Sequence, residues 1–181
     1  MLPIPTYIYN DVFEIPYEDL YNKGKRIILY DLDNTLASYK EPVPSDKIID
    51  LSNSLLKMGY KVYILSNNIG KRIDLFCTKF PCTDKLCAMN KPGTKKTNKF
   101  FSDNNIEKAS VILVGDQILT DIMCARKLNI DSVLVKSIDR SSEHWYTRIN
   151  RLRESFYFRK IKKVDLESYT KMKNLYEKRT N

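Results

Sequence analysis

Five short apolar runs, separated by segments with helical periodicity, constrain the fold of this chain more than any other feature. The runs are RIILYD (26–31), KVYILS (61–66), KLCAM (85–89), SVILVGD (110–116) and DSVLVK (131–136). Each is apolar at consecutive positions, which is typical of strands covered on both faces, as in a parallel sheet. Strands that alternate with helices form βαβ units with right-handed crossovers. The pattern predicts a doubly wound α/β domain with a five-stranded, mainly parallel sheet.

Between the runs, apolar residues recur at helical spacing. One such segment begins after Ser45, a residue that favours helix starts, and ends at Gly59, a residue that favours helix ends. A last stripe that includes Leu166 and Tyr169 predicts a final helix, although the sequence does not reveal what it packs on. The other stripes are Ile48, Leu51, Leu55 and Met58; Ile69, Ile73, Phe76 and Phe80; Ile118, Ile122, Ala125 and Leu128; and Trp145, Ile149, Leu152 and Phe156.

The length and the charge distribution of the chain indicate its domain organisation and the kind of partner it binds. Its 181 residues suffice for one domain with a substantial core. We expect an N-terminal arm at 1–24, the domain at 25–157, and a basic, helical C-terminal tail at 158–181. The net charge is +9, and residues 140–181 hold 12 basic against 5 acidic side chains. This asymmetry indicates an anionic partner, which could be nucleic acid, an anionic lipid surface or a phosphorylated substrate.

The N-terminus and the cysteines indicate a cytosolic protein. The chain has no run of ~20 apolar residues that could span a membrane. Its first 16 residues contain three prolines and no basic start, unlike a signal peptide. The cysteines lack the paired spacing of zinc sites, and we expect ordinary reduced thiols. They are Cys77, Cys82, Cys87 and Cys124.

Polar residues follow four of the predicted strands. They are Asp31 and Asp33, Ser66 and Asn67, Lys91, and Asp116 and Asp121. Because the carboxyl ends of parallel strands meet at one edge of a sheet, these side chains should lie together. Converging carboxylates repel each other unless a cation lies among them, and oxygen ligands suit Mg²⁺. A serine hydroxyl and a lysine ammonium would serve the remaining oxygens of a phosphoryl group. The pattern predicts a phosphate site.

Four motifs carry a family resemblance. In order and spacing, DLDNTL, ILSNN, NKPG and VGDQILTD resemble the signature motifs of the haloacid dehalogenase-like phosphatases, whose domain is Rossmann-like. Their wording is most similar to the subgroup of bacterial YqeG proteins and phosphatidylglycerophosphate phosphatases. The resemblance covers about residues 20 to 155. It implies a phosphatase that converts phosphatidylglycerophosphate to phosphatidylglycerol.

The resemblance also implies roles for the acidic residues. Asp31 would be the nucleophile that forms an aspartyl phosphate, and Asp33 the general acid and then the base for water. Mg²⁺ would be held by the carboxylates of Asp31 and Asp116 and by the backbone carbonyl of Asp33. Asp121 would close the metal site directly or through water. Taken singly, Asp33 could cap a turn and Asp121 could face a helix dipole, but their joint occurrence at strand ends favours the catalytic interpretation.

The phosphate-binding residues follow from the same resemblance. Ser66 and the backbone amide of Asn67 would bind the transferring phosphoryl group. Lys91 would neutralise that group and the nucleophile. Asn34 and Thr35 have a simpler explanation, because an Asn-Thr pair could merely shape the loop.

The family often carries an inserted cap domain, for which this chain lacks room. Only 32 residues separate Asp33 from Ser66, and 24 separate Ser66 from Lys91. Without a lid the site stays open to water, and specificity has to come from a large substrate, a surface or a partner chain. A lipid phosphate presented at a membrane would suit that openness.

Two segments favour peripheral contact with anionic lipid at the inner membrane face. Apolar anchors and a basic patch are the two signals that such binding needs. The arm offers Leu2, Ile4, Tyr7, Ile8 and Tyr9, and the tail offers Arg148, Arg151, Arg153, Arg159, Lys160, Lys162 and Lys163. In the alternative interpretation the arm packs on the sheet, the basic face is solvated, and the stripe of Trp145, Ile149, Leu152 and Phe156 is core.

Two other functions compete with a lipid phosphatase. A phosphatase of the same family could act on a nucleotide or a nucleic-acid end, which the basic tail would serve, but no aromatic stacking array supports nucleic-acid binding. A non-catalytic binding protein on the same fold is the third candidate. Against it, every charged group that the chemistry needs is present. The sequence leaves the oligomeric state open.

Overall fold

The computed structural model describes residues 1–68, 70–142 and 145–177, with side chains outside 142–151. The strands are β1 (Tyr7–Ile8), β2 (Ile27–Tyr30), β3 (Lys61–Leu65), β4 (Asp84–Leu86), β5 (Val111–Gly115) and β6 (Asp131–Leu134). The α-helices are α1 (Tyr17–Asn22), α2 (Asp46–Met58), α3 (Lys71–Lys79), α4 (Lys95–Asp103), α5 (Met123–Leu128), α6 (Trp145–Val164) and α7 (Leu166–Glu177). Short 3₁₀ turns lie at Lys108–Ser110 and Arg140–Ser142, and a π-helical turn lies at Ile118–Ile122.

The strands form one parallel sheet in the order β1-β6-β5-β2-β3-β4. The expected α/β fold is confirmed, but the expected count of five strands is wrong, because the sheet has six. The additional strand, β1, comes from the N-terminal arm and pairs Tyr7 with Val133 and Ile8 with Leu134. A two-residue strand offers no apolar run, so periodicity could not predict it.

The central strands are buried on both faces. In β2, Ile28 and Tyr30 point to the face covered by α2 and α3, while Ile27 and Leu29 point to the face covered by α4 and α5. Consecutive apolar residues in the strand therefore serve two separate cores. Helix α2 begins after Ser45 and ends before Gly59, as predicted, and Gly59 adopts the left-handed φ of +102° that favours glycine.

The two C-terminal helices form a hairpin beside β6. Ile161 of α6 and Met172 and Leu175 of α7 are buried in a third cluster, which also contains Ile118 and Ile122 of the π-helical turn. The final helix, whose packing partner the sequence did not reveal, thus packs on the turn that follows β5. The expected domain boundary at residue 157 lies inside α6.

The apolar residues of the N-terminal arm are used in packing. Leu2, Ile4 and Ile8 pack against the third cluster, while Tyr7 and Tyr9 pack against the cluster on the α2 face of the sheet. This is the alternative arrangement of the arm considered above. It leaves these five side chains unavailable as free membrane anchors.

The segments between the motifs hold no additional domain. Within the described residues, only α2 and β3 lie between Asp33 and Ser66, and only α3 and β4 lie between Ser66 and Lys91. The expected absence of a cap therefore fits the elements present. None of the described helices combines the length and the apolar character needed to cross a bilayer. The four cysteines are free thiols.

The hairpin packing predicts how two residues of α6 contribute to stability. Ile161→Ala should lower the free energy of unfolding by about 2–5 kcal/mol, because it removes a fully buried side chain and leaves a cavity. Leu152→Ala, at a 75% exposed position of the same helix, should change it by less than about 0.5 kcal/mol. Urea unfolding followed by circular dichroism measures both values, and equal values would contradict the packing of α6.

Candidate active site

The acidic loops meet where the strand order reverses. Strands β2 and β5 are neighbours at the centre of the sheet, and the chain leaves β2 toward β3 on one side but later returns to β5 on the other. Such a switch point opens a crevice beyond the carboxyl ends of the strands. A cavity of about 510 Å³ lies there. Five of the seven predicted site residues line it, namely Asp31, Asp33, Ser66, Asn67 and Lys91. The other two, Asp116 and Asp121, are buried beside Asp31.

Three buried carboxylates form the centre of the site. One oxygen each of Asp31, Asp116 and Asp121 lies within 4.8 Å of the others. The ammonium of Lys91 contacts two of them, at 2.6 Å from Asp31 Oδ1 and 2.7 Å from Asp121 Oδ1. Two negative charges thus share one positive charge away from water. The residual negative charge favours a further cation, and an all-oxygen ligand set suits Mg²⁺.

Burial and neighbouring charges shift the pKa values of these groups. Burial raises the pKa of Asp31 well above its ordinary value; the Lys91 ammonium lowers that pKa, and the carboxylate of Asp121 raises it. Burial by itself lowers the pKa of Lys91, but Asp121 and Asp31 outweigh it and hold the pKa above its ordinary value. Lys91 is therefore a permanent cation, and Asp31 depends on nearby positive charge to remain an ionised nucleophile.

Asp33 lies outside the acidic cluster and is held by two residues that follow β3. Arg72 Nε donates a hydrogen bond to Asp33 Oδ1 at 2.8 Å, and Asn68 Nδ2 donates to Oδ2 at 2.7 Å. Arg72, in the first turn of α3, also donates to the backbone carbonyls of Ser38 at 2.7 Å and Glu41 at 2.8 Å. The guanidinium thus fixes both the Asp33 carboxylate and the loop after it.

Ser66 and Asn67 connect the loops after β3 and β4. Ser66 is buried at the cavity, and its Oγ accepts a hydrogen bond from the backbone N–H of Asn68 at 3.0 Å. Asn67 Nδ2 donates to the backbone carbonyl of Lys91 at 2.8 Å, and Asn67 Oδ1 accepts from the backbone N–H of Lys91 at 2.5 Å. This reciprocal pair positions the backbone from which the Lys91 side chain reaches the carboxylates.

Asp121 lies on the π-helical turn, and three neighbours define its place. Its Oδ2 accepts a hydrogen bond from the backbone N–H of Gln117 at 3.1 Å. A Cβ atom at Gly115 would overlap the Asp121 carboxylate, so this close approach requires glycine. Glu154 of α6 accepts a hydrogen bond from the backbone N–H of Ile118 at 3.0 Å and so anchors the start of the turn. Such turns occur frequently at functional sites.

Asn34 and Thr35 differ in what they contact. Asn34 has a left-handed φ of +65°, its carbonyl accepts from the N–H of Ile138 at 3.0 Å, and its Oδ1 accepts from the N–H of Asp139 at 3.3 Å. Asn34 therefore shapes the loop and ties it to the segment after β6. Thr35 Oγ1 donates to Asp31 Oδ2 at 3.4 Å.

The outer wall of the cavity comes from residues whose place at the site the sequence did not predict. Lys127 of α5, Arg153 and Tyr157 of α6, and Met1 all line it. These side chains come from separate segments without a motif, and only helix packing brings them together. The same holds for Arg72 and Glu154. Asn68 is different, because it belongs to the ILSNN motif and its position beside the predicted Asn67 could have identified it.

Comparison with known proteins identifies the family. The sequence model of the haloacid dehalogenase-like hydrolases matches residues 37–135, more than half of the chain. The chain belongs to this family.

Individual proteins are similar over more than half of the chain. The probable phosphatase YqeG of Bacillus subtilis (strain 168) is 29% identical over 148 residues, which cover 82% of this chain and 85% of that protein. The D,D-heptose 1.7-bisphosphate phosphatase from B. bronchiseptica, solved with magnesium and phosphate, has a TM-score of 0.51 and 16% identity, covering 65% of this chain and 84% of that one. An uncharacterized protein from Listeria monocytogenes serotype 4b has the same TM-score and identity, covering 60% and 77%. At these identities the two structures show the fold alone.

These findings bear on the expectations from the sequence. Membership of the haloacid dehalogenase-like phosphatases, with similarity to the YqeG subgroup, is confirmed. The expected enzyme class, a phosphatase, is confirmed with it. The individual roles of the seven site residues stay predictions.

The contacts of Arg72 predict a measurable contribution to stability. Arg72→Met should lower the free energy of unfolding by roughly 2–3 kcal/mol, because it leaves a buried carboxylate without its cation. Solvent weakens the ion pair in the parent, since the guanidinium side chain is 24% exposed. The stability of Arg72→Lys should lie between that of the parent and that of Arg72→Met, since lysine keeps the charge but cannot reproduce the hydrogen bonds to the carbonyls. Arg126→Met, at an exposed position of α5, is the control and should change stability little. Urea unfolding that ranked Arg72→Met with the control would contradict this arrangement.

Proposed function

We propose that the protein is a Mg²⁺-dependent phosphomonoester hydrolase that works through an aspartyl phosphate and converts phosphatidylglycerophosphate to phosphatidylglycerol. One observation carries the chemistry. Asp31 lines an open cavity with its carboxylate 2.6 Å from the Lys91 ammonium, and Asp33 lines the same cavity outside the acidic cluster. A nucleophile, a positive charge and a separate acid–base group are thereby available to one phosphoryl group.

Both steps of the reaction use carboxyl groups of this chain. In the first, an oxygen of Asp31 forms a bond to phosphorus while the bond from phosphorus to the alcohol oxygen breaks, and Asp33 donates its proton to that oxygen. In the second, ionised Asp33 takes a proton from water, whose oxygen attacks phosphorus. The bond to Asp31 then breaks and inorganic phosphate leaves, so both groups return to their starting states.

The surrounding groups would stabilise the phosphoryl group during both steps. The Ser66 hydroxyl and the backbone amide of Asn67 would donate hydrogen bonds to its oxygens, and the Lys91 ammonium would offset its negative charge. The side chain of Asn67 acts indirectly, because it fixes the backbone of Lys91. Arg72 and Asn68 orient the Asp33 carboxylate.

The acidic cluster fits Mg²⁺ by the chemistry of its donors, which are carboxylate oxygens that all lie within 4.8 Å of one another. The carboxylates of Asp31 and Asp116 and the backbone carbonyl of Asp33 would hold the ion, and Asp121 would complete the site directly or through water. When bound, the ion would offset the negative charge of the phosphoryl group as a Lewis acid. The Asp33 carboxylate lies outside the cluster, which leaves it available for proton transfer.

Two observations support a lipid phosphate as the substrate. The motifs resemble those of the phosphatidylglycerophosphate phosphatase subgroup. Among the described elements, none is inserted as a lid over the cavity. Apolar side chains, including Met1, Leu119 and Tyr157, form part of its wall beside the polar floor. An amphipathic leaving group would contact both kinds of surface.

The exposed face of α6 supports peripheral membrane contact. Leu152 is 75% and Phe156 is 49% exposed, so the alternative that places them in the core does not hold for these two residues. They neighbour Arg153 and Tyr157, which line the cavity. The basic side chains of Arg159, Lys160 and Lys163 are exposed on the same helix. Apolar anchors among cations suit an anionic lipid surface.

Lys162 is exposed on α6 as well. The other residues considered for the membrane contact, or for its alternative, fall into two groups. The five apolar residues considered for the arm are not free anchors, because Leu2, Ile4 and Ile8 pack against the third cluster, and Tyr7 and Tyr9 pack against the cluster on the α2 face of the sheet. The side chains of Trp145, Arg148, Ile149 and Arg151 lie outside the described residues. The proposed contact therefore rests on α6 alone.

A substrate panel tests the activity. The protein should release phosphate from phosphatidylglycerophosphate in detergent micelles faster than from sugar phosphates, nucleotides or 5′-phosphorylated oligonucleotides. EDTA should abolish the release and Mg²⁺ should restore it. Asp31→Asn should lower the rate by on the order of 10⁴-fold, and by more than Asp121→Asn, because only Asp31 forms a bond to phosphorus.

Asp50→Asn, an exposed position of α2, is the control and should keep the parent rate. A preference for nucleotides or oligonucleotides would instead favour the nucleic-acid alternative. Release that needed neither metal nor Asp31 would contradict the mechanism.

Vesicle sedimentation tests the membrane contact. The protein should sediment with vesicles rich in phosphatidylglycerol but not with neutral phosphatidylcholine vesicles, and added salt should weaken binding because it screens the cations. Replacing both Leu152 and Phe156 with serine should reduce the bound fraction several-fold. Leu75→Ser, an exposed position of α3, is the matched control. Equal binding to both vesicle types would refute the role of charge.

A further inference from the structure

The cavity extends beyond the groups that the reaction uses, and its wall carries two cations. On the segment after β5, Thr120, Met123 and Lys127 line the cavity, and their spacing of three and four residues places them on one helical face. On α6, Arg153 and Tyr157 line it from four residues apart, which is again one face. The two faces therefore border the same space as the catalytic floor.

Within the described residues, neither of these two cations forms an ion pair with a carboxylate of the floor. Asp31 and Asp121 pair with Lys91, and Asp33 pairs with Arg72. Over residues 1–68, 70–142 and 145–177, neither Lys127 nor Arg153 has a carboxylate within ion-pair distance. Both side chains are exposed, so they can move to meet a bound group. Within the described part of the chain, they are two positive charges at the cavity that have no carboxylate partner.

Arg153 and the next residue, Glu154, contact different parts of the protein. Glu154 is 2% exposed and accepts the N–H of Ile118, so it serves the fold. Arg153 lines the cavity instead, one turn before Tyr157. The only carboxylate adjacent to Arg153 along the chain within the described residues is thus directed to the π-helical turn.

We propose that Lys127 and Arg153 form a second anion-binding subsite, which holds a phosphodiester group in the leaving half of the substrate. The inference rests on the proposed function and deepens it. In phosphatidylglycerophosphate a glycerol unit separates the phosphomonoester that is cleaved from a phosphodiester that is retained. With the monoester on the floor, the wall would receive the diester, and Leu119, Met123 and Tyr157 offer apolar surface beside it.

This subsite would provide the selectivity that a cap provides elsewhere. A simple phosphomonoester would contact the floor alone, whereas a substrate with a second phosphate would gain charge-assisted contacts at the wall. The retained phosphodiester does not change during the reaction, so these contacts act equally in the ground state and the transition state. Their loss should therefore raise KM and leave kcat nearly unchanged.

Two water-soluble substrates test this inference without a membrane. One is the deacylated head group, glycerophosphoglycerophosphate, which carries one phosphodiester and one phosphomonoester. The other is glycerol 3-phosphate, which carries the phosphomonoester alone. Lys127→Gln and Arg153→Gln should each lower kcat/KM for the head group by about tenfold, through KM, and change it less than about twofold for glycerol 3-phosphate. Arg126→Gln removes a neighbouring exposed cation of α5 that does not line the cavity, and it should affect neither substrate.

The outcomes separate the subsite from the activity. Equal losses on both substrates, or no loss on either, would overturn the subsite while the phosphatase proposal stands. If the parent protein hydrolyses neither soluble substrate, the subsite is tested by binding; if the parent also fails on phosphatidylglycerophosphate in micelles, the proposed function fails. Calorimetric titration with the head group then decides the subsite: about tenfold weaker binding by Lys127→Gln than by the parent supports it, and equal binding overturns it.

Discussion

The ammonium of Lys91 is the interaction on which the site depends. It contacts Asp31 from the loop after β2 and Asp121 from the turn after β5, although Lys91 itself follows β4 at the edge of the sheet. Two buried carboxylates could not lie so close without a cation between them. The reciprocal hydrogen bonds of Asn67 hold the Lys91 backbone in place. The Lys91 ammonium thus connects the ends of β2, β4 and β5, and the cavity lies at these strand ends.

The site divides into a floor and a wall that arise in different ways. The floor consists of residues that follow strands, so the parallel sheet sets its geometry. The wall consists of side chains from α5, α6 and the first residue of the chain, so the packing of the C-terminal hairpin sets its shape. Under the proposed function, the strand ends supply the reacting groups, and the helices that cover the sheet supply the contacts with the leaving group. This division is how an open site without an inserted cap would select its substrate.

The sequence revealed the floor because its signals are local. Asp31 and Asp116 each follow an apolar run directly, so the end of the strand predicts where the side chain lies. Arg72 could not be found this way, because it is an ordinary charged residue at the start of a helix and gains meaning only through its contact with Asp33. Strand β1 was missed for a related reason: its partner, β6, is more than 120 residues away, and pairing rather than periodicity makes it a strand. The local sequence pattern predicts which residues follow a strand, whereas contacts between distant segments are visible only in the structure.

The support of the π-helical turn by the C-terminal hairpin has a consequence for biosynthesis. All four motifs are complete at Asp121, yet Ile118 and Ile122 pack against Met172 and Leu175, and Glu154 holds the N–H of Ile118. A nascent chain emerges from the ribosome in order, so the sheet can assemble while α6 and α7 are still enclosed in the exit tunnel. The turn that contains Asp121 would then lack its packing partners until α6 and α7 emerge. On this view the nascent chain completes the turn that carries Asp121 only after α6 and α7 have left the ribosome, well after the last of the four motifs has emerged.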